Sequence, residues 1–250
     1  MKSTIFNLII LDESGSMMKM IKQTIGGCNE TLNTIRTAAE KHADSMRHLV
    51  SIYAFQSRGP VESRYLVKNA NPQDVQDITI NDYQPSGLTP LLDAVGSTLT
   101  ELKMIASTHE DATGIVTIMT DGFENASRQY SWKQVAQLIS QLREMGWTIN
   151  LIGANIDVDK MASQLNINNR NAMSYTQSDA GTRAMWNRFD KAISTHIDEE
   201  AEVLKSIADP QERLKSRIKT ACNFFKSDKE EEEHDPTNPF ADNDSDSLPF

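Results

Sequence analysis

The sequence predicts a doubly wound α/β fold: a mostly parallel central sheet with one antiparallel edge strand and helices on both faces. Three observations lead there. Near-continuous apolar runs occur at Thr4 to Leu11, Gly114 to Thr120 and Trp147 to Ala154, as expected of strands buried on both faces. Between them, apolar residues recur at three- and four-residue steps, the helical period. At Gly59-Pro60 a turn signal separates two strand-like runs, which makes a hairpin and so an antiparallel edge.

Taken in order, the first strand, Thr4 to Leu11, gives way to a helix from Met17 to about Ala43, with Ile21, Ile25, Cys28, Leu32, Ile35 and Ala39 on one stripe. Gly26-Gly27 weakens that helix locally, and its expected use is close approach of the helix to the sheet. His48 to Phe55 and Val61 to Val67 are the hairpin strands, and Asn71-Pro72 marks a turn with a short helix after it. Pro90 suits the first position of a helix whose buried face is Leu91, Val95, Leu99 and Leu102. After the strand Gly114 to Thr120, Ser131 and Gln134 form a capping-box pair. They open a helix lined by Val135, Leu138 and Leu142 and closed by Gly146. A strand at Trp147 to Ala154, a short helix near Val158 to Leu165 and a weak strand at Ala172 to Thr176 follow. Ser178 is placed to cap a helix in which Met185, Phe189, Ile193 and Ile197 recur at every fourth position. The expected organisation is a domain over 1–197, a helical extension over 198–227 and an acidic tail over 228–250. In the extension, Leu214, Ile218, Cys222 and Phe225 share a helix face, to be docked on the body or on a partner. The tail has too little apolar surface to fold alone.

Composition narrows the function. The 250 residues are 38% hydrophobic and 24% charged, with a formal net charge of −10. Nine acids against Lys229 put −8 of that in the tail and leave the body at about −2. An acidic chain without a basic stripe is a poor match for a phosphate backbone, so nucleic acid is not an expected partner. No stretch approaches the roughly 20 apolar residues of a membrane span, and the N-terminus lacks the pattern of a signal peptide. Cys28 and Cys222 show no CxxC spacing and are expected as reduced thiols. The five histidines show no ligand spacing and are expected on the surface. Together these features predict a soluble cytoplasmic protein; its oligomeric state is not legible.

The chemistry concentrates at Ile9-Ile10-Leu11-Asp12-Glu13-Ser14-Gly15-Ser16, where a buried strand delivers three oxygen-bearing side chains to the rim of a sheet. Asp12, Ser14 and Ser16 are hard donors of the type that suits magnesium, calcium or manganese. Asp121 leaves the end of a later buried strand, and Thr89 sits in the loop that opens the Pro90 helix. In parallel sheets ligands bind outside the carboxyl ends of the strands, at the topological switch point. Five oxygens from three loops are therefore expected to converge there. Singly, each residue has an ordinary role: Asp12 and Thr89 as helix caps, Asp121-Gly122 as a turn. Glu13 reads as an extra surface charge, Asn125 as a candidate hydrogen-bond partner behind the site, and Asp157 and Asp159 as caps.

Asp12-x-Ser14-x-Ser16, Thr89 within Gly-Leu-Thr-Pro and Asp121 within Met-Thr-Asp-Gly resemble the von Willebrand factor A domain and its metal-ion-dependent adhesion site. All five positions match in order, over roughly residues 1 to 197. Gly-Leu-Thr-Pro looks more like the intracellular bacterial and phage-type members than like the adhesion receptors. The resemblance implies a non-enzymatic adaptor that holds a divalent ion, Mg2+ or else Mn2+ or Ca2+, for a carboxylate of a partner protein. Ligation rich in hydroxyls favours the smaller ion. Two alternatives stand beside it. One is a magnesium-dependent phosphohydrolase of haloacid dehalogenase type with Asp12 as nucleophile, which needs a second acid where Ser14 stands. The other is a scaffold whose metal is purely structural.

Overall fold

A computed structural model describes residues 2–58 and 63–225. At its centre is β1 (Ser3–Asp12), every residue of which is buried. Beside it are β2 (Met46–Phe55), β3 (Arg64–Ala70), β4 (Ala112–Thr120), β5 (Thr148–Ala154) and β6 (Ala172–Tyr175). Among the described residues they form one sheet in the order β3-β2-β1-β4-β5-β6. All pairs are parallel except β2–β3. The expected antiparallel edge is therefore present, although Gly59-Pro60 lies outside the described residues. From β1 the chain first winds toward β2 and β3, then returns to β4 on the other side. The β1–β4 boundary is thus the switch point, where adjacent loops diverge and leave a crevice.

Because β1 is buried on both faces, its side chains divide by parity. Ile5, Ile9 and Leu11 join a core under α1 (Ile21–Lys41) and α5 (Asp179–Ser206). Phe6, Leu8 and Ile10 join another under α2 (Leu91–Ala106), α3 (Trp132–Glu144) and α4 (Val158–Gln164). A 3-10 stretch, Gly15–Met20, leads into α1, so the helix proper starts at Ile21, where its apolar stripe begins, rather than at Met17. Gly27 does allow close approach, but to α5 rather than to the sheet: a Cβ there would lie 2.0 Å from the Trp186 ring, whereas Gly26 faces open space. Pro90 is the N-cap of α2 rather than its first residue, while three other terminal signals hold. Ser131 and Gln134 form the capping box, Gly146 ends its helix with φ +80°, and Ser178 accepts from Gly181 N.

α5 runs without a break through residues 197 and 198. After Pro210 the chain forms α6 (Pro210–Ala221), which packs against the body by a face turned from the expected one toward Arg217, with Leu214 and Phe225 still in contact. Ile218 is exposed, while Arg217 and Ala221 are buried, with Phe224 and Phe225 just beyond. Arg217 explains this. Its guanidinium meets Glu200 Oε1 at 2.7 Å, Asp111 Oδ1 at 2.6 Å and Ser3 Oγ at 3.1 Å. A buried guanidinium is tolerable only when paired in this way. Leu204 and the two phenylalanines complete the core under α5. The acidic tail, 228–250, lies outside the described residues. Among those residues no helix is long and apolar enough to cross a membrane.

Two of the histidines differ from expectation, while His109 and His196 are half-buried and His234 lies outside the described residues. His42 and His48 are buried. His42 is held by Asp198, with Nε2 2.6 Å from Oδ1, and His48 by the Asn7 amide at 3.3 Å. Burial pushes the His48 imidazole down to about 4, so it sits in the sheet as a neutral ring. Cys28 and Cys222 are both unpaired.

Candidate metal centre

The register of the central strands builds the site. Leu11 pairs with Met119, so Asp12 and Thr120 come side by side as both strands end at the switch point. Thr120 Oγ1 donates to Asp12 Oδ2 at 2.6 Å. The other oxygen, Oδ1, accepts the Ser14 backbone N–H at 2.7 Å, which folds the chain back and turns Ser14 and Ser16 toward the same point. Their hydroxyls are 3.1 Å apart, and Ser16 Oγ donates to Asp121 Oδ1 at 2.5 Å. Asp121 Oδ2 accepts from the Gln177 amide at 2.8 Å. Asp12, Ser14, Thr89 and Asp121 are buried while Ser16 is exposed, so the constellation opens to solvent on the Ser16 side.

Thr89 arrives on a loop with little freedom. Gly87 has φ +70°, and a Cβ there would fall 1.7 Å from the Ser57 carbonyl oxygen; only glycine fits. Ser57 and Leu88 exchange two backbone hydrogen bonds, and Gly15 N donates to Gly87 O at 3.2 Å. Asn125 completes the clamp: its Oδ1 accepts from Thr89 N at 2.8 Å, and its own N–H donates to Thr89 O. Asn125 thus stands behind the site as a backbone holder. Gly122 keeps the interior clear, because a Cβ on it would lie 2.9 Å from Thr89 Oγ1 and 3.7 Å from Asp12 Oδ2. The Thr89 hydroxyl and the Asp12 carboxylate therefore face one small space. All five expected residues meet at this edge.

Glu13 is a correction. It is not a surface charge but is wholly buried. Its carboxylate takes Arg64 in a fork, at 2.6 and 3.0 Å, together with Gln56 Nε2 at 3.0 Å and Gln84 N at 2.6 Å. Its carbonyl accepts from Ser86 N. One side chain thus ties the Asp12 loop to the hairpin and to the loop carrying Thr89. The apolar run hides this, since it ends at Leu11 and Glu13 reads as a loop residue. Thr120 and Gln177 carry no sequence signal as site residues, and Glu124, placed at the rim by its sequence position, serves the backbone there. Glu124 accepts from Ala126 N, Ser127 N, Ser127 Oγ and Leu92 N. Asp93 takes the N–H groups of Arg128, Gln129 and Tyr130. Their partners lie more than 30 residues away or in a local turn, which no periodicity reports. Asp157 caps α4, as expected.

The donor set fits a hard divalent cation. Asp12 and Asp121 have hydroxyl, amide and backbone N–H partners, and no cationic side chain among the described residues. Burial, with Asp121 adding, pushes the Asp12 carboxyl up to about 6 against the pull of its Thr120 and Ser14 hydrogen bonds. That is the signature of a buried negative charge short of compensation. The same pair, after burial, raises Tyr175 to about 12. Among the described residues no three His, Cys, Asp or Glu side chains gather as a metal-binding group. A cation here would be held by hydroxyls as much as by carboxylates, which suits magnesium or manganese better than zinc.

No protein-family profile and no curated protein matches this sequence. Solved structures do. The pilus adhesin SpaC of Lactobacillus rhamnosus GG, in its open conformation, superposes with a TM-score of 0.54 at 14% identity, over 79% of this chain and 30% of that one. A von Willebrand factor type A structure from Catenulispora acidiphila gives 0.48 at 16% identity, over 79% and 43%. Proximal thread matrix protein 1 of the mussel byssus, with a zinc-occupied MIDAS motif, gives 0.47 at 14%, over 77% and 46%. This chain spans less than half the length of each. At such identities the likeness is one of fold.

Proposed function

We propose that this chain is a divalent-metal-dependent protein-binding module of the von Willebrand factor A type rather than an enzyme. One observation carries the reading. Two buried carboxylates and three hydroxyls from three loops face each other at the switch point, and no cationic side chain among the described residues balances them. Asp12, Ser14, Ser16, Thr89 and Asp121 would hold the ion, Mg2+ in the first instance. When bound, the ion supplies a hard positive centre that takes a carboxylate oxygen of a partner protein. Thr120 and the Ser14 N–H orient Asp12, Gln177 engages one oxygen of Asp121, and Glu13 and Asn125 fix the Thr89 loop. The exposed Ser16 side leaves an approach for the partner. Unpaired Cys28 and Cys222 go with a reducing compartment, and we place the protein in the cytoplasm, as an adaptor.

A phosphohydrolase needs a proton donor beside the nucleophile. The residue two after Asp12 is Ser14, whose hydroxyl is engaged with Ser16, which favours binding over bond cleavage. Partner capture by the full chain in Mg2+ tests the reading, repeated with EDTA and with Asp12→Ala. Both are expected to abolish capture. Capture unchanged in both would overturn the metal-bridged mode. If EDTA lowers the melting temperature while the folded, metal-free protein still captures its partner, the metal is structural. Turnover of a generic phosphate ester that is lost in Asp12→Asn would replace binding with catalysis.

A further inference from the structure

Each of the three loops that bring the ligand residues together also displays one large apolar side chain to solvent. Met18, two residues after Ser16, is 58% exposed; Leu88, next to Thr89, is 52% exposed; Phe123, two residues after Asp121, is 62% exposed. Single exposed apolar residues are ordinary, but several gathered round one site mark an interaction surface. Loose loops do not explain them. Leu88 is locked by its two bonds to Ser57. Phe123 lies between Gly122, packed on Thr89, and Glu124, which accepts four hydrogen bonds. Its ring is held out in water by an ordered backbone.

Beside Phe123 a surface groove of about 220 Å³ runs between the start of α3 and the length of α4, walled by Trp132 and Met161, with Glu124, Asp157 and Lys160 also lining it. Trp132 is half-buried and Met161 buried. The groove therefore begins within two residues of Asp121. An extended segment advances at most about 3.3–3.6 Å per residue. A segment with one side chain at the carboxylate site reaches this groove two to four residues further along.

We infer that the partner's docking segment carries a bulky apolar side chain, of aromatic size, about two to four residues from the acidic residue that meets the metal, and that this side chain fills the groove between Phe123, Trp132 and Met161. Met18 and Leu88 cover the segment near the ion. The acid supplies charge complementarity; the apolar neighbour separates this partner from any other acidic surface, because a carboxylate alone satisfies the ion equally well wherever it comes from. The inference rests on the proposed metal-dependent binding.

The test uses the full chain in Mg2+ and fluorescent synthetic peptides in a serine–glycine background. One set carries an aspartate and a phenylalanine two, three or four residues apart; controls carry the aspartate alone or the phenylalanine alone. At one or more spacings the paired peptide is expected to bind at least about tenfold more tightly than either control. Phe123→Ser is expected to remove that advantage while leaving the aspartate-only peptide and the melting temperature unchanged. EDTA abolishes binding of the paired peptide. If paired and aspartate-only peptides bind alike, or if Phe123→Ser changes neither, the groove assignment fails and the metal reading survives. If paired and phenylalanine-only peptides bind alike and EDTA has no effect, the metal reading fails as well. If a peptide of residues 226–250 of this chain outcompetes every paired peptide, the occupant is the chain's own tail and the assignment to a partner falls.

Discussion

Among single residues, Glu13 has the largest disparity between appearance and role. It stands between two expected ligands, yet its wholly buried carboxylate points away from them to Arg64, Gln56 and the Gln84 N–H. Removing the carboxylate leaves the Gln84 N–H and the Gln56 amide without their acceptor, which costs more than the net worth of the bonds. Glu13→Ala is expected to destabilise the fold by about 3 kcal/mol in urea unfolding and to weaken Mg2+ binding, because the Thr89 loop loses its tether. Glu13→Gln, which keeps an acceptor for Gln84 N, is expected to lose less than half as much. A loss below about 0.5 kcal/mol for the alanine variant would mean the clamp is not needed. Arg64 is 41% exposed and so can return to water, which keeps the figure at the low end of buried-pair losses.

At the scale of elements, the α1–α5 contact shows how a local weakness is used. Gly26 and Gly27 both lower helix propensity, but Gly27 alone has the Trp186 ring against its Cα. Gly27→Ala places a methyl group inside that ring, so α1 and α5 must separate or Trp186 must leave its site. Overpacking of this kind costs about 1–3 kcal/mol, and the edge-to-face contact of Trp186 with Phe189 is disturbed with it. Gly26→Ala meets no atom within 4 Å and is expected to stabilise by about 0.5–1 kcal/mol through helix propensity. Thermal unfolding of the two variants is expected to move in opposite directions. A stabilised Gly27→Ala would refute the packing. α6 shows the converse: its apolar stripe misjudges the docking face because Arg217, not Ile218, finds buried partners.

The whole molecule sets the pH dependence, because titratable groups held within the fold act with opposite signs. His48 titrates at about 4 in the fold against an ordinary 6.5. Between these values the unfolded chain holds more protons, so this group's contribution is present above pH 6.5 and is lost as pH falls toward 4. The full loss is about 3 kcal/mol. Asp190, held by Thr31 Oγ1 at 2.6 Å, is raised by burial to about 6. A raised carboxyl runs the other way: the folded state takes the proton first, so stability grows as pH falls through 6 toward 3.8. Their sum is shallow, so the variants are the readout. Over pH 7 to 4, His48→Gln is expected to lose less stability than the parent, and Asp190→Asn to lose more. Parallel curves for all three proteins would sink the assignment.

The sequence by itself determined the order of strands and helices, the antiparallel edge, and the residues Asp12, Ser14, Ser16, Thr89 and Asp121 that meet at the sheet edge. Those features follow from periodicity, turn residues and strand ends, which are local and leave a trace in neighbouring positions. Tertiary structure alone decided the rest. It buried Glu13, His42 and His48, set Gly27 against Trp186, chose Arg217 to dock α6, and gave Asp121 its Gln177 partner and Asp12 its Thr120 partner. It also left Met18, Leu88 and Phe123 exposed on the three loops that carry the ligand residues. These depend on pairs separated by tens of residues or more, whose meeting is fixed by strand register and helix packing rather than by any property of the residues alone. A glutamate one step past a strand reads as solvent-exposed until the fold brings an arginine from a hairpin 51 positions away. The desolvation cost of the carboxylate then makes that pairing obligatory.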